Sequence, residues 1–168
     1  MKRLLPFLLI AGMATAAVAA DNGIQRKPSP HSVPVTMERF EQAARERGMK
    51  VFPRMDHAAA AREYGAEMRP AVTLSFGNPK YGTPFMIREP EAGIDFPPKA
   101  IVYEDEDGQV WIAYNSAAYL YETIFRRHGL DHPPGDVDFY ANLLEELTDF
   151  AVAADGPEGP EKRDPATE

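Results

Sequence analysis

Residues 54–57 (RMDH) place a histidine where it could do chemistry. Asp56 is a good N-cap, so we expect His57 in the first turn of a short, alanine-rich helix. The positive end of that helix favours the neutral ring, which can act as a general base, a ligand or a hydrogen-bond donor. One hypothesis is therefore an enzyme with His57 as general base and Asn78 or Tyr114 polarising the substrate. The alternative is a histidine that packs and bonds locally.

Met55 and His57 also form a Met-x-His pair, a type of soft ligand set that an exported copper protein can use. No further ligand follows at regular spacing, and no His-Glu-x-x-His motif for catalytic zinc occurs. The chain contains no cysteine, which excludes disulfides, thiolate metal sites and cysteine nucleophiles. We therefore assign no metal ligands and expect no cofactor.

The segment 75–86 (SFGNPKYGTPFM) superficially resembles a phosphate-binding loop, because four residues separate Gly77 from Gly82. Such a loop needs a lysine directly after the second glycine and free N–H groups at the helix start. Here Thr83 replaces that lysine, and Pro84 lacks an N–H group. The glycines permit positive φ, so we predict an ordered loop that forms one wall of a cleft, with a short helix starting at Thr83.

Residues 95–99 (DFPPK) place a carboxylate and an amine around a rigid turn that could line the same cleft. Several cationic side chains lie nearby in an otherwise acidic protein, which favours a small anion or a carboxylate-bearing ligand. No catalytic residues stand at recognisable spacing, so an enzyme is the less favoured interpretation. The candidate ligand-binding residues are His57, Arg69, Asn78, Lys80, Thr83, Asp95, Lys99 and Tyr114.

The hydrophobic pattern predicts an α+β fold with a mainly antiparallel sheet and helices packed on it. We expect strands at 33–35, 50–55 and 72–76, then a hairpin of two strands around an Asp-Glu-Asp-Gly turn. Helices are expected after Thr36, after Asp56, after residues 115–116 and after Asp136. The last helix has an apolar stripe formed by Tyr140, Leu143, Leu144, Leu147, Phe150 and Ala151.

The ends of the chain predict export. Residues 1–20 read as a secretory signal peptide, cleaved after Ala19 or Ala20, which indicates a periplasmic or secreted protein. We expect a flexible tether at 21–31, a single domain at 32–154 and a disordered acidic tail at 155–168. Without Lys2 and Arg3, 16 of the 18 basic residues face 26 acidic ones, a net charge of −10. Such a surface repels nucleic acid and anionic membranes.

The motifs together resemble one family, that of the domain of unknown function 302 (DUF302). The similarity is carried by FGNPKYGTPFM at 76–86, by DH at 56–57, by RP at 69–70 and by DFPPK at 95–99. The chain departs from the family pattern at Ala71, where a threonine is common, and at Phe96 and Pro98, where leucines are usual. The resemblance implies a small α+β fold similar to the TATA-binding-protein-like class, a homodimer, and an accessory or sensing module without an established reaction.

The leading hypothesis is an exported binding or accessory module that recognises a small ligand or a partner protein in a cleft beside the 77–83 loop. The small anionic ligand and a periplasmic partner protein are both open. Two alternatives remain, namely the His57 enzyme and a dimeric structural or metal-handling protein. In the dimeric protein, Phe139 and Phe150 of the last helix would contribute to the interface.

Overall fold

The structure, a computed structural model, describes residues 22–132 and 135–154. The predicted signal peptide and acidic tail lie outside the described residues. The strands are β1 (Ile24–Ser29), β2 (Lys50–Val51), β3 (Met55–Asp56), β4 (Ala71–Gly77), β5 (Lys99–Glu104) and β6 (Val110–Asn115). The α-helices are α1 (Val33–Glu46), α2 (His57–Glu63), α3 (Pro79–Arg88) and α4 (Asp136–Val152). A 3₁₀-helix covers Pro90–Ile94, and Tyr119–Phe125 is a π-helical segment.

The strands form one antiparallel sheet in the order β1-β6-β5-β4-β2, with β3 also paired to β4. Leu74, Ala100 and Tyr114 lie directly opposite one another on β4, β5 and β6, and therefore share one face of the sheet. Helices α1 and α4 cover this inner face, where the main core is buried. The α+β fold with helices packed on a mainly antiparallel sheet is confirmed.

The predicted tether is wrong, because residues 24–29 form the edge strand β1. It pairs with β6 along its whole length, from Ile24 opposite Asn115 to Ser29 opposite Val110. The segment IQRKPS lacks the apolar alternation of a typical strand, because most of its residues are exposed to water. Its Lys27 forms ion pairs with Glu145 and Asp149 of α4. A proline is tolerated in an edge strand. The folded domain therefore begins before residue 32.

The predicted strand at 33–35 is also wrong, because Val33 is already the first residue of α1. Ser32 is the N-cap and a proline follows in the first turn, where its missing N–H group costs nothing. Thr36 lies inside the helix, fully buried, and exchanges a 2.7 Å hydrogen bond with the Ser29 hydroxyl. The long strand expected at 50–55 is reduced to β2 and β3, which both pair with β4.

The segment predicted to be an ordered loop is instead helix α3. Asn78 caps it by accepting a hydrogen bond from the Lys80 N–H group at 3.0 Å, and Pro79 occupies the first turn. Neither Gly77 nor Gly82 has a positive φ. The two glycines and two prolines suggested a loop. Gly77 instead ends β4, Pro79 occupies the first turn of α3, and Gly82 and Pro84 lie inside that helix.

Other local predictions are confirmed. Asp56 caps α2 by accepting a hydrogen bond from the Ala59 N–H group at 2.8 Å. The hairpin of β5 and β6 turns at Gly108, whose φ of 80° favours glycine. The apolar stripe of α4 packs on the main core as expected, with Leu144, Leu147 and Ala151 buried.

Candidate ligand cavity

Apolar side chains pack in two separate clusters, and a cavity lies at their junction. The main cluster joins the inner face of the sheet to α1 and α4. The second cluster joins the π-helical segment to α3 and the 3₁₀-helix, through residues such as Phe125, Ala92 and Phe85. Tyr140 of α4 packs against both clusters. The domain therefore contains two apolar clusters, and the Tyr140 ring contacts both of them.

The cavity has a volume of about 150 Å³ and opens to solvent on one side. Its floor and walls come from both clusters. The lining residues are Phe76, Ile94, Asp95, Pro98, Lys99, Tyr114, Asn115, Tyr119, Leu120, Ile124, Tyr140 and Leu144. Three of the eight residues predicted from the sequence, Asp95, Lys99 and Tyr114, are thus brought together.

The π-helical segment supplies three of the cavity's lining residues, Tyr119, Leu120 and Ile124. Such wider helical turns are rare and are found disproportionately at functional sites. At its start, Tyr119 packs directly against Gly23 at the beginning of β1. A Cβ atom at Gly23 would overlap the Tyr119 ring, and its φ of 76° also favours glycine. The residues just before β1 therefore fix one wall of the cavity.

Asp95 is held by two side chains from the helix after β6. Its carboxylate accepts a hydrogen bond from His128 Nε2 at 2.7 Å and pairs with Arg127 Nη1 at 3.2 Å. The His128 side chain is only 8% exposed, so one of the two contacts is well shielded from water. These contacts link Asp95, which follows the 3₁₀-helix, to Arg127 and His128, which follow the π-helical segment.

Tyr114 belongs to a polar network beneath the cavity. Its hydroxyl donates a 3.2 Å hydrogen bond to Glu145, which also pairs with Lys27 at 2.6 Å. Burial raises the pKa of the Tyr114 phenol above its usual value. The phenol is therefore neutral over the physiological range and is already engaged as a donor.

His57 is remote from this cavity. Its Nε2 atom lies 2.7 Å from the Thr73 hydroxyl. Thr73 is next to Leu74 on β4, so its side chain points to the outer face of the sheet, opposite to Tyr114. Asn78 lies five residues farther along, roughly 17 Å away at about 3.4 Å per strand residue. The structure therefore favours the local, structural role of His57 and does not assemble the general-base site.

The other predicted residues are also dispersed. Arg69 pairs with Glu104 at 3.3 Å and donates to the Glu106 carbonyl near the β5–β6 hairpin. Asn78 serves as the cap of α3, while Lys80 and Thr83 are exposed on that helix. None of these residues lines the cavity.

The sequence did not single out Tyr119, Tyr140, Arg127 or His128. Tyr140 was recognised only as part of an apolar stripe, and Arg127 and His128 belong to none of the motifs described above. One signal was available in the sequence. Tyr119, Tyr121 and Tyr140 all lie in segments that were predicted to be helices packed on the sheet. A phenol in such a position needs a polar partner or a cavity.

No group of three or more potential metal ligands occurs within residues 22–132 and 135–154. Met55 is 60% exposed, and His57 Nε2 lies 2.7 Å from the Thr73 hydroxyl. In the same part of the chain, no helix is long and apolar enough to cross a bilayer.

The sequence model of the domain of unknown function DUF302 matches residues 25–149. The chain belongs to the DUF302 family. A crystal structure of an uncharacterized conserved DUF302 protein from Bacillus stearothermophilus is similar, with a TM-score of 0.59 and 18% sequence identity. The match covers 77% of this chain and 96% of that one. It supports the α+β fold of this DUF302 protein.

Two curated relatives carry a functional name. The chain is 40% identical over 110 residues to "Fluoride-specific ion channel FluC 1" of Brucella suis biovar 1 and to "Fluoride-specific ion channel FluC 2" of Brucella melitensis biotype 1. The match covers 66% of this chain, but only 42% and 39% of those two proteins. The chain thus spans about two fifths of each relative's length.

Tyr121, which packs against the second cluster, predicts a loss of stability in alkali. Burial, helped by the charge of Asp136, raises the pKa of Tyr121 from 10.0 to about 12. The protonated phenol is thus favoured by folding, so its contribution is fully present below about pH 10 and is lost as the pH rises towards 12. Chemical denaturation of Tyr121→Phe over this range should show a smaller fall in stability than the unsubstituted protein. An equal fall in both proteins would contradict this assignment.

Proposed function

We propose that this DUF302 protein is an exported binding or accessory module that recognises a small ligand in the cavity between its two clusters. One observation carries the proposal: Asp95, Lys99 and three tyrosines meet around about 150 Å³ of space that apolar side chains also line. A concave apolar pocket with a few convergent polar groups is typical of small-molecule sites. None of residues 77–83 lines this cavity, although Phe76 at the end of β4 does.

Binding, rather than catalysis, is supported by how the polar groups are used. Asp95 is engaged by Arg127 and His128, and the Tyr114 hydroxyl is engaged by Glu145. A general base must keep a free acceptor within reach of the substrate. The described lining residues offer shape, donors and charge, which suit recognition.

A methyl-labelled nuclear magnetic resonance screen of small organic compounds tests the proposal. A true ligand should shift the methyl resonances of Leu120, Ile124 and Leu144, which line the cavity. Met55, which is exposed on β3 and lies opposite Thr73 of the outer face, provides the internal control. Shifts restricted to surface methyls such as Met55, across the whole screen, would refute a ligand site in the cavity.

The curated relatives support a second candidate function, in which the module assists a membrane transport protein. Two proteins named as fluoride channels contain a region that is 40% identical to most of this domain. A domain joined to a channel in one protein can act on a separate channel in another. Deletion of the encoding gene should then increase the fluoride sensitivity of the cells, and the intact gene should restore it. Unchanged growth across a fluoride series would contradict this function.

We also propose that the chain forms a homodimer, as the family resemblance implies. Phe139 of α4 is 59% exposed and is suited to an interface. Phe150, in contrast, packs on the main cluster, with the Arg39 guanidinium 5.2 Å from its ring centre. Light scattering at micromolar concentration should give twice the mass of the chain, whereas a monomer there would exclude a stable dimer.

A further inference from the structure

The cavity is lined by one negative side chain that has positive partners and by one positive side chain that has no described ion-pair partner. Two side chains that carry a charge at neutral pH line it, Asp95 and Lys99. The Asp95 carboxylate is already compensated, since Arg127 pairs with it and His128 donates to or shares a proton with it at 2.7 Å. The described part of the chain therefore leaves Lys99 as the charge at this rim that a ligand can neutralise.

Lys99 is well placed to receive a ligand. Its ammonium group makes one long hydrogen bond, 3.3 Å, to the Pro97 carbonyl, and it forms no ion pair with any described carboxylate. The residue is exposed at the start of β5 and is one of the residues that line the cavity. Because it precedes Ala100, its side chain leaves the sheet on the face opposite Tyr114, and the long, flexible chain must bend around the strand end to bring the ammonium to the cavity. A flexible ammonium with two further donors can turn towards an anion without breaking a strong contact.

Two phenols add hydrogen-bonding capacity. Tyr119 and Tyr140 line the cavity, and neither hydroxyl is hydrogen-bonded to another described residue. Burial raises the pKa of Tyr140, so its hydroxyl remains protonated and able to donate. The Lys99 ammonium and the two phenols can therefore all donate hydrogen bonds to a ligand with acceptor oxygens.

The remaining walls are apolar. Leu120, Ile124 and Leu144 form the inner part, and Ile94 lies at the mouth. A cavity of about 150 Å³ lined by such side chains admits a molecule of about the size of benzene. A bare halide would leave most of this volume empty, whereas a small hydrocarbon group would fill it.

We propose, on the basis of the small-ligand function above, that the cavity binds a small organic monocarboxylate. The carboxylate lies at the Lys99 ammonium, within reach of the Tyr119 and Tyr140 hydroxyls. The hydrocarbon body lies among Leu120, Ile124 and Leu144. A charge-assisted hydrogen bond distinguishes this ligand from a neutral compound of the same shape.

Calorimetric titrations with matched probes test the charge. The probes are butyrate, butyramide and butylamine, and then benzoate with benzamide, all at neutral pH. At least one acid should bind roughly tenfold more tightly than its amide, as one charge-assisted hydrogen bond of about 1.4 kcal/mol predicts. The amine should bind more weakly than either compound.

The substitution Lys99→Met should remove this roughly tenfold preference and leave the amide affinity unchanged, because the methylenes are kept while the charge is lost. Lys99→Arg should retain the preference. Lys80→Met is the matched control, since Lys80 is an exposed lysine on α3 that does not line the cavity.

The outcomes separate the two proposals. An amide that binds as tightly as its acid, and shifts the cavity methyls, would overturn the carboxylate ligand and leave the small-ligand function standing. The carboxylate proposal also fails if Lys99→Met retains the preference, if Lys80→Met removes it, or if sodium fluoride displaces every acid. If neither these probes nor the wider screen shifts any cavity methyl, both proposals fail.

Discussion

The contact of Tyr140 with two otherwise separate clusters is the constraint on which the site depends. Helix α4 packs its buried stripe on the sheet, and the same helix presents this ring to the side chains of the π-helical segment. Protein interiors are normally packed without gaps as large as a small molecule. Here the two apolar clusters contact each other through Tyr140. The side chains of neither cluster fill the cavity at their junction.

The polar groups around this space have different roles because their partners differ. Asp95 and Tyr114 are held by neighbours from other elements, so they position the walls. Lys99, Tyr119 and Tyr140 lack such strong partners among the described residues, which is why we propose that they contact a ligand. Residue type alone does not separate the two groups, since a tyrosine occurs in both. The separation depends on contacts between segments that are distant in sequence.

This explains which features were predictable. The alternation of Val72, Leu74 and Phe76 and the period of the α4 stripe are local patterns, and both are confirmed. Strand β1 was missed because an edge strand needs no apolar alternation when a lysine can bridge to acidic residues of a helix. Helix α3 was missed because glycine and proline favour loops on average, whereas here Pro79 occupies the first turn and the helix also contains Gly82 and Pro84 in its interior. The cavity required long-range contacts that no spacing reveals.

The close packing of Gly23 against Tyr119 has a practical consequence for handling this protein. The cavity wall begins only a few residues after the predicted cleavage positions at Ala19 and Ala20. Any extra residues left at that end of a recombinant protein would start beside the ring that shapes the pocket. Purification handles are therefore better placed at the opposite terminus, where α4 ends at Val152.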